Sequence, residues 1–285
     1  MRIHGKATVG CFALALMWTA IAPAFAQTSQ CAADAEPRRI VVTIGIDHYA
    51  HSSHRPPLST AVNDANCFEQ VLQRKFGYQS YESLMDPDPA KQSNPLRDGS
   101  GTREAIDFLV SDGLPRVLCS NDDFILFFSG HGEKRAYQDH NIKGYLVPSD
   151  APEQGCSNLI EVKAFLEDIS NLPARHILVI LDACHSGIAI QDALAGVRAS
   201  GNYQQALKSH NSRKVIASAL ADQTASDTGS IPGHSLFGGL LLQALDLGLA
   251  AKNSDFIADS DLAEFLKAHV TEENSNQEPD WVPFG

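Results

Sequence analysis

Short runs of apolar residues alternate along the chain with longer stretches in which apolar residues recur every three or four positions. The short runs are typical of buried strands, and the longer spacing is typical of helices. Strands are predicted at residues 38–46, 78–84, 124–126, 144–148, 177–180 and 214–219. Helices are predicted at residues 61–76, 102–110, 159–169, 235–247 and 261–270. This alternation predicts one α/β domain with a mostly parallel central sheet and helices on both faces.

Two of the apolar runs end in segments that carry chemistry. Run 124–126 continues into FFSGHG, which contains His131, and run 177–180 continues into LDACHSG, which contains Cys184. Open α/β sheets bind ligands at the carboxyl ends of their strands. A thiol becomes an effective nucleophile at neutral pH when an imidazole takes its proton. The two motifs therefore predict a hydrolase in which Cys184 attacks and His131 acts first as base and then as acid.

The neighbours of these two residues fit the same interpretation. Gly130 and Gly132 flank the histidine and let backbone and substrate approach closely. The N–H groups of Gly132 and Cys184 form the predicted oxyanion hole. His185 is a poorer base than His131, because adjacent side chains leave a strand in different directions. The alternatives are an idle loop histidine and a core cysteine, since cysteine is among the most buried residue types.

FFSGHG and LDACHSG resemble the paired motifs of caspase-like cysteine peptidases, and most closely those of the metacaspase branch, with bacterial metacaspases as the nearest group. Asn63-Asp64-Ala65 and residues 218–224 and 235–245 are similar to further metacaspase segments in the same order, with Ala219 in place of a glycine. The resemblance covers about residues 38–250. It implies the caspase-hemoglobinase fold and a cysteine endopeptidase.

The resemblance also implies roles for individual residues. His131 and Cys184 match the catalytic dyad, and Asp64 and Asp182 match the acidic pair of the S1 pocket, with Ser218 beside them. It therefore implies peptide or protein substrates cleaved after Arg or Lys. A guanidinium can be bound bidentately by one carboxylate, and a second carboxylate completes such a pocket. The alternatives are that Asp64 is an ordinary exposed helix residue and that Asp182 only holds the strand end.

The start of the chain predicts export. A basic segment at residues 2–6 precedes an apolar stretch at residues 12–22, and Ala24-Phe25-Ala26 is a small–any–small cleavage pattern. A membrane anchor is the alternative, but the stretch is short and no stop-transfer charges follow it. We therefore expect a periplasmic or secreted protein without membrane association after cleavage. The predicted organisation is a signal peptide at residues 1–26, an N-terminal extension at residues 27–37 and a peptidase domain at residues 38–285.

Net charge restricts the classes of binding partner, and cysteine content indicates which thiols are free. The formal net charge is −12, and it becomes more negative once Arg2 and Lys6 are removed. This balance argues against nucleic acid and favours cationic substrates. In an exported chain, Cys184 is the predicted free thiol. The other four cysteines allow three disulfide pairings or buried unpaired thiols, and the sequence does not choose among them: Cys31, Cys67, Cys119 and Cys156.

The proposed chemistry requires no cofactor, but calcium activation is a further implication of the resemblance. Many metacaspases are activated by calcium through acidic residues, and here only Asp192 falls near the expected position. Asp150 could make a structural contact instead. The spacing of His48, His51 and His54 fits no common zinc motif, so we expect a loop there and no metal site.

Residues 188–211 lie where caspase-like enzymes carry a processing linker. The candidate self-cleavage positions in and just after it are Arg198, Lys208, Arg213 and Lys214. Two other hypotheses stay open at this point. One is a legumain- or gingipain-like peptidase of different specificity, which the match at Asp64 would distinguish, and the other is a non-catalytic binding or scaffold protein. The sequence decides neither the oligomeric state nor the packing of residues 277–285.

Overall fold

The computed structural model describes residues 31, 36–51, 53, 55–85, 96–137, 142–153, 155–188, 190, 211–251 and 257–284. The predicted signal peptide and most of the predicted processing linker lie outside these residues, as do Arg198, Lys208 and Asp192. Among the helices of the described segments, none is long and apolar enough to cross a membrane.

Six strands form the main sheet. In spatial order they are β2 (Gln79–Ser80), β1 (Arg39–Gly45), β3 (Asp123–Ser129), β7 (His176–Asp182), β8 (Ser212–Ala217) and β9 (Asp280–Pro283). Every neighbouring pair is parallel except β8 and β9. The interior strands are buried on both faces, which explains why they are continuous apolar runs in the sequence. The predicted α/β class with a mostly parallel sheet is confirmed.

Helices cover both faces of this sheet. They are α1 (Ala61–Phe76), α2 (Tyr81–Met85), α3 (Arg103–Phe108), α4 (Leu114–Val117), α5 (Val162–Ser170), α6 (Leu236–Asp246) and α7 (Asp259–Glu273). On one face Phe68 of α1, Leu240 of α6 and Leu266 of α7 belong to one apolar cluster. On the other face Leu114 of α4 and Phe165 of α5 belong to a second cluster. The sheet thus separates two hydrophobic cores.

Several predicted helix boundaries are confirmed by local chemistry. Helix α1 ends at Gly77, whose φ of 69° is left-handed and is adopted by glycine without strain. The Thr102 side chain caps α3 by accepting a hydrogen bond from a backbone N–H, and Ser235 caps α6 in the same way. Beyond α3 the chain continues through a π-helical turn at Leu109–Gly113 directly into α4.

A second, antiparallel sheet was only partly predicted. It contains β4 (Gly132–Ala136), β5 (Ile142–Leu146) and β6 (Ile160–Glu161). The predicted strand at residues 144–148 belongs to this sheet, and the predicted helix at residues 159–169 begins only at Val162, after β6. The predicted strand at residues 78–84 was wrong, because pairing stops after Ser80 and the chain turns into α2.

The C-terminal segment, which the sequence left undecided, packs on the domain. Strand β9 adds an antiparallel edge to β8, with Val282 opposite Val215. Gln277, just before this strand, is fully buried. The end of the described chain is therefore part of the fold.

One disulfide joins the N-terminal extension to the domain. Cys31 is bonded to Cys119, with 5.2 Å between their Cα atoms, while Cys67, Cys156 and Cys184 are free. This agrees with the prediction of a free Cys184 and decides among the open pairings in favour of a single bond.

We expect Cys31→Ala to lower the free energy of unfolding by about 2–5 kcal/mol, because the bond closes a loop with a sequence separation of 88. Chemical denaturation of the wild-type and variant proteins measures this change. Cys156→Ala, which removes a free thiol, is the matched control. Equal unfolding free energies for Cys31→Ala and the wild-type protein in the absence of reductant would contradict the assignment.

Candidate active site

His131 and Cys184 extend from neighbouring strands whose ends are in register. Ser129 of β3 lies opposite Asp182 of β7, and each candidate residue follows its strand end by two positions. The backbones stay joined beyond the sheet, because the N–H of Gly130 donates to the carbonyl of Asp182 at 3.2 Å. Neighbouring strands lie roughly 4.8 Å apart, so this register carries the histidine and the cysteine to the same place.

Both residues line one small cavity at the carboxyl end of the sheet. Its volume is about 150 Å³, which suits a single side chain. The lining residues with polar side chains are Thr60, Ser129, His131, Asp182, Cys184, Ser226, Asp227 and Ser235. The structure therefore brings together three predicted site residues, His131, Cys184 and Asp182.

Two loop residues that the sequence did not predict hold His131. Its backbone N–H donates to the hydroxyl of Tyr49 at 2.7 Å, and the two rings lie 4.9 Å apart between centroids. Its Nε2 lies 2.8 Å from the carbonyl oxygen of Pro56. A carbonyl only accepts hydrogen bonds, so Nε2 carries the proton and Nδ1 is the nitrogen with the unshared electron pair. No local motif marks either loop residue, since both act through contacts across the chain.

The Cys184 thiol lies within reach of a backbone carbonyl. Its Sγ is half-buried and lies 3.8 Å from the carbonyl oxygen of Ala225. Burial raises the pKa of the Cys184 thiol, and the negative charge of Asp182 raises it further. If this thiol is to react as a thiolate, a neighbouring base has to take its proton.

His185, the residue after Cys184, has a strained backbone, and its side chain is hydrogen-bonded. His185 has a φ of 58°, which is unusual for a residue other than glycine. Its N–H donates to the carbonyl of Gln223 at 3.1 Å, and its Nδ1 lies 3.1 Å from the carbonyl of Ala221. Burial lowers the pKa of His185. These contacts fit the expectation that it is a poorer base than His131.

Gly132 lies directly against the backbone of Cys184. A Cβ at this position would come within 2.0 Å of the carbonyl oxygen of Cys184 and 3.2 Å of the Cβ of Ala183. Only glycine fits such a close approach. The contact places Gly132 beside Cys184, as the predicted oxyanion hole requires, although Gly132 does not line the cavity itself. Its role there stays a prediction.

Asp182 forms part of the cavity wall and is 4% exposed. It accepts a hydrogen bond from the Ser235 hydroxyl at 2.6 Å. Burial raises the pKa of Asp182 to about 7, the charge of Asp64 contributes to the rise, and the Ser235 hydroxyl opposes it. The Ser218 hydroxyl is fully buried and makes no hydrogen bond of normal geometry, yet it lies close enough to lower this pKa slightly.

Asp64 lies beside the cavity and does not line it. It is 1% exposed, so the alternative of an ordinary exposed helix residue was wrong. Its carboxylate is 2.5 Å from Nδ1 of His234 and accepts the N–H of Ser235 at 3.1 Å. Burial raises the pKa of Asp64, while His234 and Ser235 oppose the rise. Asp64 and Asp182 thus meet at Ser235, the residue that caps α6.

Gln277, a residue that no motif in the sequence indicated, supports the cavity from the C-terminal segment. Its Oε1 accepts the N–H of Ser226 at 2.9 Å, and its Nε2 donates to the carbonyl of Ser218 at 3.1 Å. The side chain is 0% exposed. It therefore joins the end of β8 to the loop that lines the cavity.

Asp150 and His48, two of the residues considered in connection with metal binding, have other contacts, whereas His54 and Asp192 lie outside the described residues. Asp150 accepts the N–H of Arg103 at 2.8 Å and a hydrogen bond from Asn158 at 3.3 Å, which is the structural contact considered above. His48 lies 3.3 Å from the Asp98 carboxylate. Within the described part of the chain, no three His, Cys, Asp or Glu side chains are grouped so that they could hold a metal ion.

Two of the four candidate self-cleavage positions lie inside the sheet. Arg213 and Lys214 belong to β8, whose backbone pairs with strands on both sides. The Arg213 guanidinium donates to the carbonyls of Leu172 and Ala174 at 3.1 and 2.8 Å. A peptidase needs a free extended backbone, so these two candidates were wrong for the folded protein.

Comparison with known proteins identifies the family of this chain. Residues 38–281 match the caspase domain family of peptidases. The chain belongs to the caspase-domain family.

Two relatives are metacaspase-1 of Arabidopsis thaliana and metacaspase-1 of Meyerozyma guilliermondii. The first is 28% identical over 212 residues, which are 68% of this chain and 54% of the relative, and the second is 25% identical over 169 residues, which are 58% and 38%.

A solved structure shares the fold of this chain. Protein GSU0716 from Geobacter sulfurreducens superposes with a TM-score of 0.59 at 17% identity, covering 87% of this chain and 94% of that one. This caspase-domain chain spans roughly a third to a half of the length of the curated metacaspases that it matches.

We expect Gly132→Ala to disable the site, because the added methyl group would collide with the Cys184 carbonyl. The shift needed to relieve this contact should cost about 1–3 kcal/mol of unfolding free energy. It should also slow alkylation of Cys184 by iodoacetamide at least about tenfold, because small misplacements of reacting groups have large effects.

Gly99→Ala is the control, since nothing lies within 4 Å of a Cβ at that position. An alkylation rate in Gly132→Ala equal to that of Gly99→Ala would show that the close approach has no bearing on the thiol.

Proposed function

We propose that the chain is an exported cysteine endopeptidase that cleaves peptide bonds after Arg or Lys. In this reaction Nδ1 of His131 takes the thiol proton as Cys184 attacks the scissile carbonyl, forming the C–S bond. The N–H groups of Gly132 and Cys184 stabilise the oxyanion. The imidazolium then protonates the leaving amine as the C–N bond breaks. Water, activated by the same imidazole, releases the acid and restores the thiol.

One observation carries this proposal: the imidazole and the thiol line the same cavity as a buried carboxylate. Membership of the caspase-domain family supports peptide chemistry at such a pair. The hydrogen bond from Nε2 of His131 to Pro56 supports the role of Nδ1 as base. Since the resting thiol has a raised pKa, the reaction depends on this base.

The charge of the cavity supports the preference for a basic P1 residue. Asp182 and Asp227 line it, and no Lys or Arg stands among its described lining residues. An acidic P1 side chain would be repelled by these carboxylates, whereas a cation would neutralise them. Asp64 lies just outside the lining and contacts His234. Its charge would make the electrostatic potential of the cavity more negative.

The decisive experiment compares fluorogenic peptides that differ only in P1, namely Arg, Lys and Asp, with the wild-type protein and Cys184→Ala. We expect cleavage of the Arg and Lys peptides, no cleavage of the Asp peptide and loss of at least about a thousandfold in rate for the variant. Cys156→Ala is the matched control for removal of a free thiol. Preference for Asp would refute the pocket assignment, and equal activity of Cys184→Ala would refute the mechanism.

The pKa of Asp182 makes cation binding dependent on pH. Because the pKa of this carboxyl is raised to about 7, it is neutral at lower pH and ionised at higher pH. A cation binds the ionised form. The inhibition constant of benzamidine should therefore fall roughly 30-fold between about pH 5.5 and about pH 8.

Benzamide, the neutral analogue, should bind with an affinity that does not change over the same range. Asp182→Asn should weaken benzamidine binding and remove its pH dependence. A benzamidine affinity that is constant with pH in the wild-type protein would exclude Asp182 as its counter-ion.

The location and activation of the enzyme are further parts of the proposal. The Cys31–Cys119 disulfide supports export, since such bonds persist mainly in oxidising compartments. Self-cleavage, if it occurs, would use Arg198 or Lys208, which lie outside the described residues. Calcium would act on activation and not as a reacting group, with Asp192, also outside the described residues, as its candidate ligand.

A further inference from the structure

Arg55 is a buried charge in an otherwise exposed loop. Its side chain is 3% exposed, although Pro56 and Pro57 beside it are exposed. Its Nε donates to Oε1 of Glu133 at 2.6 Å, and its Nη1 donates to the carbonyl of Pro152 at 2.7 Å. Burying a guanidinium is unfavourable unless its partners are well placed. This arginine therefore fixes the position of its loop.

Arg55 and its partner Glu133 lie on the two sides of the contact between His131 and Pro56. Arg55 directly precedes Pro56, whose carbonyl accepts the Nε2 proton of His131. Glu133 follows His131 by two residues, at the start of β4. We propose that Arg55 and Glu133 form a positioning clamp that holds the Pro56 carbonyl on His131. This inference rests on the proposed function, in which His131 is the catalytic base.

The clamp is anchored on its strand side. Glu133 also accepts a hydrogen bond from Arg135 at 2.7 Å. Burial acts to raise the pKa of Glu133, but its bonds to Arg55 and Arg135 outweigh burial and lower it, so the carboxylate stays ionised. Strand β4 is paired with β5 along its length. Glu133 is thus a fixed anion, and Arg55 is the element that ties the loop to it.

The backbone of His131 does not depend on this clamp. Its N–H is held by Tyr49, whose own hydroxyl donates to the carbonyl of Ile46 at 3.1 Å. Loss of Arg55 should therefore leave the histidine in place but release the Pro56 carbonyl from its ring. The imidazolium would lose an acceptor, and the thiolate–imidazolium pair would become less stable relative to the neutral pair. Thiolate formation would then need a higher pH.

The test measures the rate of Cys184 alkylation by iodoacetamide against pH, read from the labelled Cys184 peptide so that other free thiols do not contribute. In Arg55→Met we expect the alkylation rate at neutral pH to fall roughly tenfold. We also expect the pH at which alkylation reaches half its maximal rate to rise. With the Arg-P1 peptide, kcat should fall by a similar factor while KM stays unchanged, because the clamp does not touch the cavity. Arg55→Lys and Glu133→Gln, which keep part of the contact, should show smaller changes of the same sign.

Arg213→Met is the matched control, because this arginine also donates to loop carbonyls but lies at the start of β8, away from the cavity. It should lower stability without changing the pH profile of alkylation. Thermal unfolding checks that each variant is folded, and if Arg55→Met fails this check the other two clamp variants decide. A wild-type pH profile in the folded clamp variants would overturn the proposal.

The two proposals fail in distinguishable ways. If the wild-type protein cleaves no peptide but Arg55→Met shifts the alkylation profile, the clamp stands and the proposed peptidase function fails. If peptides are cleaved and the profile does not shift, the function stands and the clamp is refuted.

Discussion

The parallel pairing of β3 with β7 is the constraint on which the site depends. These strands are far apart in the sequence, and they pair along their whole length so that Ser129 lies opposite Asp182. A shift of one residue would turn the side chains of one strand to the opposite face of the sheet. His131 and Cys184 would then no longer reach the same cavity. The apolar side chains that fill both cores therefore also set the relative positions of His131 and Cys184.

Beyond the strand ends, buried polar contacts hold the loops that form the site. The loop after β1 is held by Tyr49 and Arg55, and the loops after β8 are held by Gln277. Each of these side chains is buried and joins segments that are distant in the sequence. Removing one partner of a buried hydrogen bond leaves the other without compensation. The site is accordingly more sensitive to single polar substitutions than the cores are to conservative apolar ones.

The four central strands of the main sheet could be predicted because burial leaves continuous apolar runs, as at residues 124–126. Strand β4 of the small sheet was not predicted, because Gly132–Ala136 is charged and partly exposed and its pairing partner comes later in the chain. At the site, His131, Cys184 and Asp182 stand in recognisable motifs. Pro56 and Gln277 do not, since a backbone carbonyl and a single amide contribute only through a fold that is already formed.

Asp64 and Asp182 are buried carboxylates that lie close together. Each is less than 5% exposed and accepts a hydrogen bond from Ser235, and the charge of Asp64 contributes to the raised pKa of Asp182. Asp64 has His234 beside it, whereas no basic side chain of the described residues is bonded to Asp182. Isolated buried charge is unfavourable, and a protein relieves it by taking up a proton or by binding a cation. In the proposed function, a P1 guanidinium would replace that proton. In that function the raised pKa of Asp182 and the selection of a basic P1 side chain would have the same cause, a carboxylate buried without a bonded cation.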